Sequence, residues 1–178
     1  MLWTGSKREQ AAKRFEPMIS DGDFRDVMSN LAAGVTIVTT VLDGDFYGMT
    51  ATSFTSVSLD PPLVQVSLDQ ASRTHGAVSR SRVFGANILS AGQKEIARTF
   101  SQSGIDRFED LEVRLGPKTG VPLFPGAIGF LECRVTDEVA GGDHTIFVGE
   151  VISTETEISS PLIYFRSNYH RLSKEDLS

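Results

Sequence analysis

Four short stretches of this 178-residue chain carry side chains that could do chemistry together. The first is GMTATSFTSVSLDPPLV, residues 48–64, a strand-like segment crowded with small hydroxyl residues. Thr50, Ala51, Thr52 and Ser53 are compact enough to let a flat ligand approach the backbone, whose N–H groups could then meet ring heteroatoms. The second is Ser67 and Leu68 running into Ser72, Arg73 and Thr74. Hydroxyls, free N–H groups at a helix start and one guanidinium are what a phosphate requires. The third is Asn87 in FGANIL, an amide in an apolar strand, which is costly unless satisfied. The fourth is GGDHTIFVGEV, where two glycines and an aspartate present His144 at a strand start. Each has a plain structural alternative. Serine and threonine are ordinary strand residues, Ser72 could only cap a helix, Asn87 could bond neighbouring backbone, and His144 could serve a turn.

Other chemistries lack their signatures. No GxGxxG, GxxxxGK[ST] or GxSxG motif occurs, and the three histidines, His75, His144 and His170, have no metal-ligand spacing. The carboxylate pairs Glu109/Asp110 and Glu155/Glu157 fall in loop or strand-end contexts and read as solvated charge. A net charge of −6, with no Lys/Arg run beyond two, argues against nucleic-acid binding. No apolar run approaches the roughly 20 residues that span a bilayer. The amino-terminal stretch carries charge where a signal peptide is apolar, so a cytoplasmic protein is expected. The lone Cys133 alternates within FLECRVTDEV and reads as a packed, inert thiol.

The elements that must position these residues are mostly strands. Phe24, Val27, Met28 and Leu31 form one helical stripe after a possible cap at Asp21–Asp23, with Gly34 placed to end it in a left-handed conformation. Val35–Leu42 and Phe46–Phe54 flank Asp43-Gly44, a hairpin signal. Further strands are expected at 57–59, 63–68, 84–89, 127–140, 144–152 and 162–165. Short helices are expected at 73–81, after Ser72, and at 93–101. Residues 102–126 read as loop, and 6–15 as a short charged helix. About seven strands joined by tight turns predict antiparallel pairing in a mainly β protein, best satisfied by a small closed barrel. Residues 1–19 read as an extension, 20–173 as the domain and 174–178 as a tail.

The order FRDVMSNLAAGVTIVTT, GMTATSFTSVSLDPPLVQVSLD, SRTHGAV, FGANILSAGQKEIARTFS, DRFEDLE and GGDHTIFVGEV resembles the flavin reductase family. It is most similar to the short-chain NAD(P)H:flavin oxidoreductases that serve two-component monooxygenases, of the 4-hydroxyphenylacetate hydroxylase reductase type. The resemblance implies a split β-barrel with a few short peripheral helices, binding FMN or FAD at a homodimer interface. It implies hydride transfer from C4 of NADH or NADPH to flavin N5, with reduced flavin passing to a monooxygenase. By position, Thr50, Ala51, Thr52 and Ser53 are expected along the isoalloxazine, Ser67 and Leu68 at the ring or ribityl chain, and Ser72, Arg73 and Thr74 at the phosphate. Asn87 is expected near the ribityl, Arg107 and Phe108 as a cover, His144 at the nicotinamide nucleotide, and Tyr169 as a further contact. Thr52 stands where many relatives have Asn, so an amide at the flavin edge is absent. Rival readings are a split-barrel oxidase with tightly held flavin, a non-catalytic flavin or haem carrier or sensor, and a structural dimerisation barrel.

Overall fold

The computed structural model describes residues 19–172, so the expected helix at 6–15 and the tail at 174–178 lie outside the described residues. Helix α1 (Asp21–Met28) is capped one residue earlier than the sequence suggests. Ser20 Oγ accepts from Asp23 N at 3.1 Å, while Asp21 and Asp23 sit in the first turn, where carboxylates complement the helix dipole. The helix ends at Ser29. Gly34 does not stop it; Gly34 lies in β1 (Ala33–Gly34), opposite Ile163. The apolar stripe is real but is not core: Phe24 is 55% and Val27 71% exposed.

The main sheet is antiparallel with strand order β3-β2-β6-β9-β10-β5-β4. Its members are β2 (Thr36–Leu42), β3 (Asp45–Ala51), β4 (Thr55–Leu59), β5 (Pro62–Asp69), β6 (Val83–Ile88), β9 (Gly129–Gly141) and β10 (His144–Thr156). Asp43 and Gly44 turn β2 into β3 with φ of 55° and 92°, the positive pair a tight hairpin needs to match strand twist. Pro62 opens β5 opposite Leu59, at the first residue of the strand where a missing N–H is tolerated. The β9–β10 hairpin has two register shifts that bend it. At one of them Gly149 leaves room for Phe84, whose ring would lie 2.6 Å from an added Cβ.

Curling brings β3 and β4 to opposite lips of a seam. Those lips share no ladder among the described residues, so the expected closed barrel is a split one. On the β4 side, Ser53 Oγ donates to Ser67 O at 3.0 Å and accepts from Ser67 N at 3.2 Å. This satisfies a β5 backbone pair just beyond the end of the β4 ladder at Thr55–Gln65.

Three hydrophobic clusters flank the sheet, the smallest around Val121, Leu123, Ala127 and Phe130. Val38, Val66, Leu68, Val78, Phe84 and Phe147 fill the barrel, which α2 (Arg73–Ser81) plugs at one end with Ala77 and Val78. On the outer face, α3 (Lys94–Ser101) seats Ala97 and Phe100 against Ile37, Phe124 and Leu162. Two small sheets complete the fold. One joins β1 to β11 (Leu162–Phe165) and β12 (Asn168–Arg171); the other pairs β7 (Arg114–Leu115) with β8 (Pro122–Leu123), inside the stretch expected to be loop.

A buried carboxylate, unannounced by the sequence, holds that last hairpin. Glu132 on β9 is 2% exposed, and its Oε2 accepts from Lys118 N, Thr119 N and Thr119 Oγ1 at 3.0, 2.7 and 2.7 Å. Cys133 beside it is buried, and burial first, the Glu132 charge second, push its thiol up to about 12. It is inert, as the sequence implies.

Candidate functional site: an open strand edge with two guanidiniums

Strand β3 is an edge strand, and its unpaired side is where the candidate residues collect. The backbone N–H and C=O of one strand residue point to the same side, and the side alternates along the chain. Gly48 O accepts from Arg107 Nη1, so Gly48 faces away from β2 and Thr50 faces the same open edge. Ala51 points the other way, into the β2 ladder, and its side chain is 8% exposed in the barrel core.

Two clefts run along this edge. The first, about 300 Å³, lies between Thr50 of β3 and Thr52 just after it, Arg98 and Ser101 of α3, and Tyr164, Ser167 and Tyr169 of the β11–β12 hairpin. Thr50 Oγ1 donates to Ala97 O at 2.6 Å, fixing α3 against the strand. Tyr164 and Tyr169 meet edge-on at 5.3 Å. Burial raises the Tyr169 phenol and Tyr164 adds to the rise, while Arg98 pulls it down. Ser167 sits at φ 61° after Arg166 at 46°; Arg98, Ser101, Tyr164 and Ser167 were not among the sequence candidates.

The second cleft, about 740 Å³, continues along β3 from Gly48 back to Gly44, between the start of α2 and the loop 103–108. Ser72, Arg73, Thr74, Arg107 and Phe108 all line it, as the sequence suggests. Ser72 Oγ accepts from His75 N at 3.0 Å, so it caps α2 and leaves the helix start facing the cleft. The Arg73 guanidinium lies 5.7 Å from the Tyr47 ring centroid. Arg107 is held by Gln102 O at 2.8 Å through Nε. Burial lowers the Arg107 pKa, and the neighbouring Arg73 charge lowers it further. Among the described residues neither arginine has a carboxylate partner. Two neighbouring cations with no ion-paired carboxylate can hold a phosphate-bearing anion, although Asp45 and Asp106 also line the cleft. Phe108 packs on Phe46, Phe100 and Phe124, with centroids at 5.6, 5.1 and 6.1 Å. An added Cβ on Gly48 would lie 2.8 Å from Phe100 and 3.2 Å from Phe108, so only glycine lets this aromatic wall close on the strand.

Not every candidate reaches a cleft. Asn87 is fully buried. Its Nδ2 donates to Ile37 O at 3.1 Å and its Oδ1 accepts from Phe124 N at 2.9 Å. Its hydrogen-bonding capacity goes to backbone, so the ribityl contact expected for it gives way to the structural alternative. Leu68 is core, at 0% exposure. The Ser53 hydroxyl is taken up by the Ser67 backbone. His144 stands outside both linings, at the tip of the β9–β10 hairpin opposite Asp69. Its Nδ1 lies 2.7 Å from Asp143 Oδ1, a contact that lowers the Asp143 carboxyl. Gln70 Nε2 donates to His144 O at 3.1 Å, tying that tip to the loop leading into α2 and Arg73.

A split barrel with an open strand edge, small residues along it and paired arginines beside it defines a class that binds flat, phosphorylated ligands. The lining fits a flavin nucleotide: backbone groups at Thr50 for a ring edge, the hydroxyl of Thr52, and guanidiniums for phosphate. Residues 28–173 match the flavin reductase like domain, and the chain belongs to that family. It is 39% identical over 151 residues, 85% of this chain and 80% of the other, to the reductase component of a 4-nitrophenol 4-monooxygenase/4-nitrocatechol 2-monooxygenase from Rhodococcus opacus. It is 40% identical over 158 residues, 86% and 89% of the two chains, to an NADH:riboflavin 5′-phosphate oxidoreductase of Streptomyces pristinaespiralis. An NADH:FAD oxidoreductase of Streptomyces globisporus, solved with NAD and FAD fragments, superposes with a TM-score of 0.83 at 35% identity, covering 86% of this chain and 93% of that one. The chain is thus an oxidoreductase of the flavin reductase type. No helix among the described residues is long and apolar enough to cross a membrane.

Proposed function

We propose that this chain catalyses reduction of FMN or FAD by NADH or NADPH and releases the reduced flavin to a monooxygenase. The observation that carries this is the pair of arginines without a salt-bridge partner among the described residues, Arg73 and Arg107, beside the unpaired edge at Gly48 and Thr50. A bound flavin supplies the two-electron acceptor, which removes any need for a protein nucleophile or tuned acid. The protein's part is orientation and exclusion of water. Thr50 offers its backbone N–H and C=O to a ring edge, and an N–H aimed there favours negative charge as it develops. Arg73 and Arg107 hold the phosphate, and the Phe46/Phe108 wall keeps water from one side. Shallow clefts on an open edge suit a flavin that enters and leaves. His144 is assigned to the nicotinamide nucleotide: its side chain is 43% exposed, and its carbonyl is bonded by Gln70 in the loop leading into α2. We also assign the protein to homodimers. The uncovered Phe24, Val27, Met28 and Leu31 of the α1 segment, and Val57 and Leu59 on the β4 edge, supply apolar surface for a second copy.

Purified protein with FMN or FAD should consume NADH or NADPH, followed at the nicotinamide absorbance. Folded protein that oxidises neither nucleotide with either flavin would reject the proposal. Light scattering at micromolar concentration tests the dimer, and a monomer would remove it.

A further inference from the structure

The start of α2 and the tip of the β9–β10 hairpin are fastened by side chains that the reductase reading does not use. At the third residue of α2, where a glutamate or glutamine would reach back to the capping residue's N–H, stands His75. Ser72 N is already engaged by Asp69 O at 2.9 Å. The His75 side chain instead leaves the helix: Nε2 lies 2.8 Å from Thr145 Oγ1, and the ring meets Phe147 edge-on at 5.2 Å. Thr145 is buried, at 9% exposure. Gln70 Nε2 lies 3.5 Å from the same hydroxyl and donates to His144 O at 3.1 Å. The β5–β10 ladder has its last rung at Asp69–His144. Past it the tip is held by Gln70, whose backbone N–H donates to Asp143 O at 3.0 Å. Side chains alternate along a strand. Thr145 and Phe147 therefore point in toward α2, and His144, one residue earlier, points the opposite way.

We propose that His75 is a positioning residue for hydride transfer: its bond to Thr145 sets the His144 strand against the helix start that carries Arg73, and so sets the nicotinamide nucleotide against the flavin. This rests on the reductase reading above and on the place given there to His144. Arg73 and His75 share one turn of α2, and Thr145 and His144 are chain neighbours. One hydrogen bond thus links the phosphate-holding cation to the nucleotide-facing imidazole without passing through either ligand. His75 lines neither cleft, so it acts through its partners. The bond ends on a buried hydroxyl, where low dielectric strengthens it. Hydride transfer needs the reacting atoms about 3–3.5 Å apart and aligned, so a slack tip is felt in the rate of a bound pair before it is felt in flavin affinity.

Steady-state kinetics of the full chain test this, with FMN or FAD and NADH or NADPH, whichever pair the parent turns over, beside fluorescence titration of that flavin. His75→Phe keeps a ring against Phe147 and removes the bond. A misplacement of about 1 Å can cost roughly a hundredfold, so kcat should fall about tenfold or more while the flavin dissociation constant stays within about twofold. Thr145→Val should do the same. The double variant His75→Phe/Thr145→Val should be no slower than either alone, because each single change already removes the one bond. His75→Gln, whose amide reaches the position of Nε2, and Thr145→Ser should each recover most of the loss. A purely structural pin gives another pattern: His75→Phe and Thr145→Val lower the thermal midpoint and keep the parental kcat well below it. That result overturns the inference, as do losses that multiply in the double variant, or a raised nucleotide KM with kcat unchanged. Should His75→Phe fail to fold, Thr145→Val against Thr145→Ser decides by the same readouts. A parent chain that oxidises neither nucleotide with either flavin would instead remove the reductase reading itself.

Discussion

Replacing Asn87 with alanine separates two roles that the sequence alone leaves open. In the structure its amide ties three pieces together: Ile37 on β2, its own strand β6, and the 122–124 segment, through the Nδ2–Ile37 O and Phe124 N–Oδ1 bonds of 3.1 and 2.9 Å. Truncation strands the Phe124 N–H in a site with no access to water and weakens the acceptor side at Ile37. A stranded buried group costs about 1–3 kcal/mol, and the second partner and small void bring the total to about 2–4 kcal/mol. At about 2–4 °C per kcal/mol for a domain of this size, the midpoint of thermal unfolding should fall by about 4–16 °C. Flavin affinity, measured by fluorescence well below that midpoint, should change little, because the amide does not face either cleft. The reasoning is refuted if Asn87→Ala unfolds at the temperature of the parent and has lost flavin affinity, the signature of a direct ligand contact.

His144→Ala should raise KM for the nicotinamide nucleotide by about tenfold or more while leaving the flavin dissociation constant near the parent's; collapse of flavin binding would move His144 into the flavin site. Gly48→Ala should destabilise by about 1–3 kcal/mol through overpacking, since its Cβ would press on Phe100 and Phe108, and should raise the flavin dissociation constant as the wall is displaced. An alkaline titration tests the core. The folded Cys133 pKa of about 12 exceeds its ordinary 9.0, so the native state retains a proton the unfolded chain has lost. Its contribution is present below about pH 9 and decays at about 1.4 kcal/mol per pH unit between pH 9 and 12. Unfolding by urea across that window should lose this slope in Cys133→Ala; an unchanged slope would assign it elsewhere.

Much of this was legible in the residues. Asp43-Gly44, the capping Ser72 and the alternation through 127–152 fix hairpins and helix starts because those signals are local. What escaped is set by distant contacts. The β11–β12 turn uses Arg166-Ser167, not an Asn-Gly pair, so its hairpin lacked the usual mark. Glu132 looks like any strand glutamate until the 116–119 turn supplies its N–H donors. Asn87 was rightly read as an amide needing a partner, but periodicity cannot say whether that partner is backbone or ligand. Arg98 and Tyr164, on separate elements, meet at the first cleft only once α3 and the β1-β11-β12 sheet pack together.

Helix α1 buries none of its own residues, yet its far end grips the left-handed turn that carries Ser167. Arg166 N donates to Ser29 O at 2.8 Å, and Arg166 Nε to Asn30 Oδ1 at 3.0 Å. Such φ values cost a non-glycine residue about 1–3 kcal/mol and persist only where surroundings enforce them. That surface helix is therefore a brace for the tyrosine hairpin, and whatever leans on it is felt at the floor of the smaller cleft.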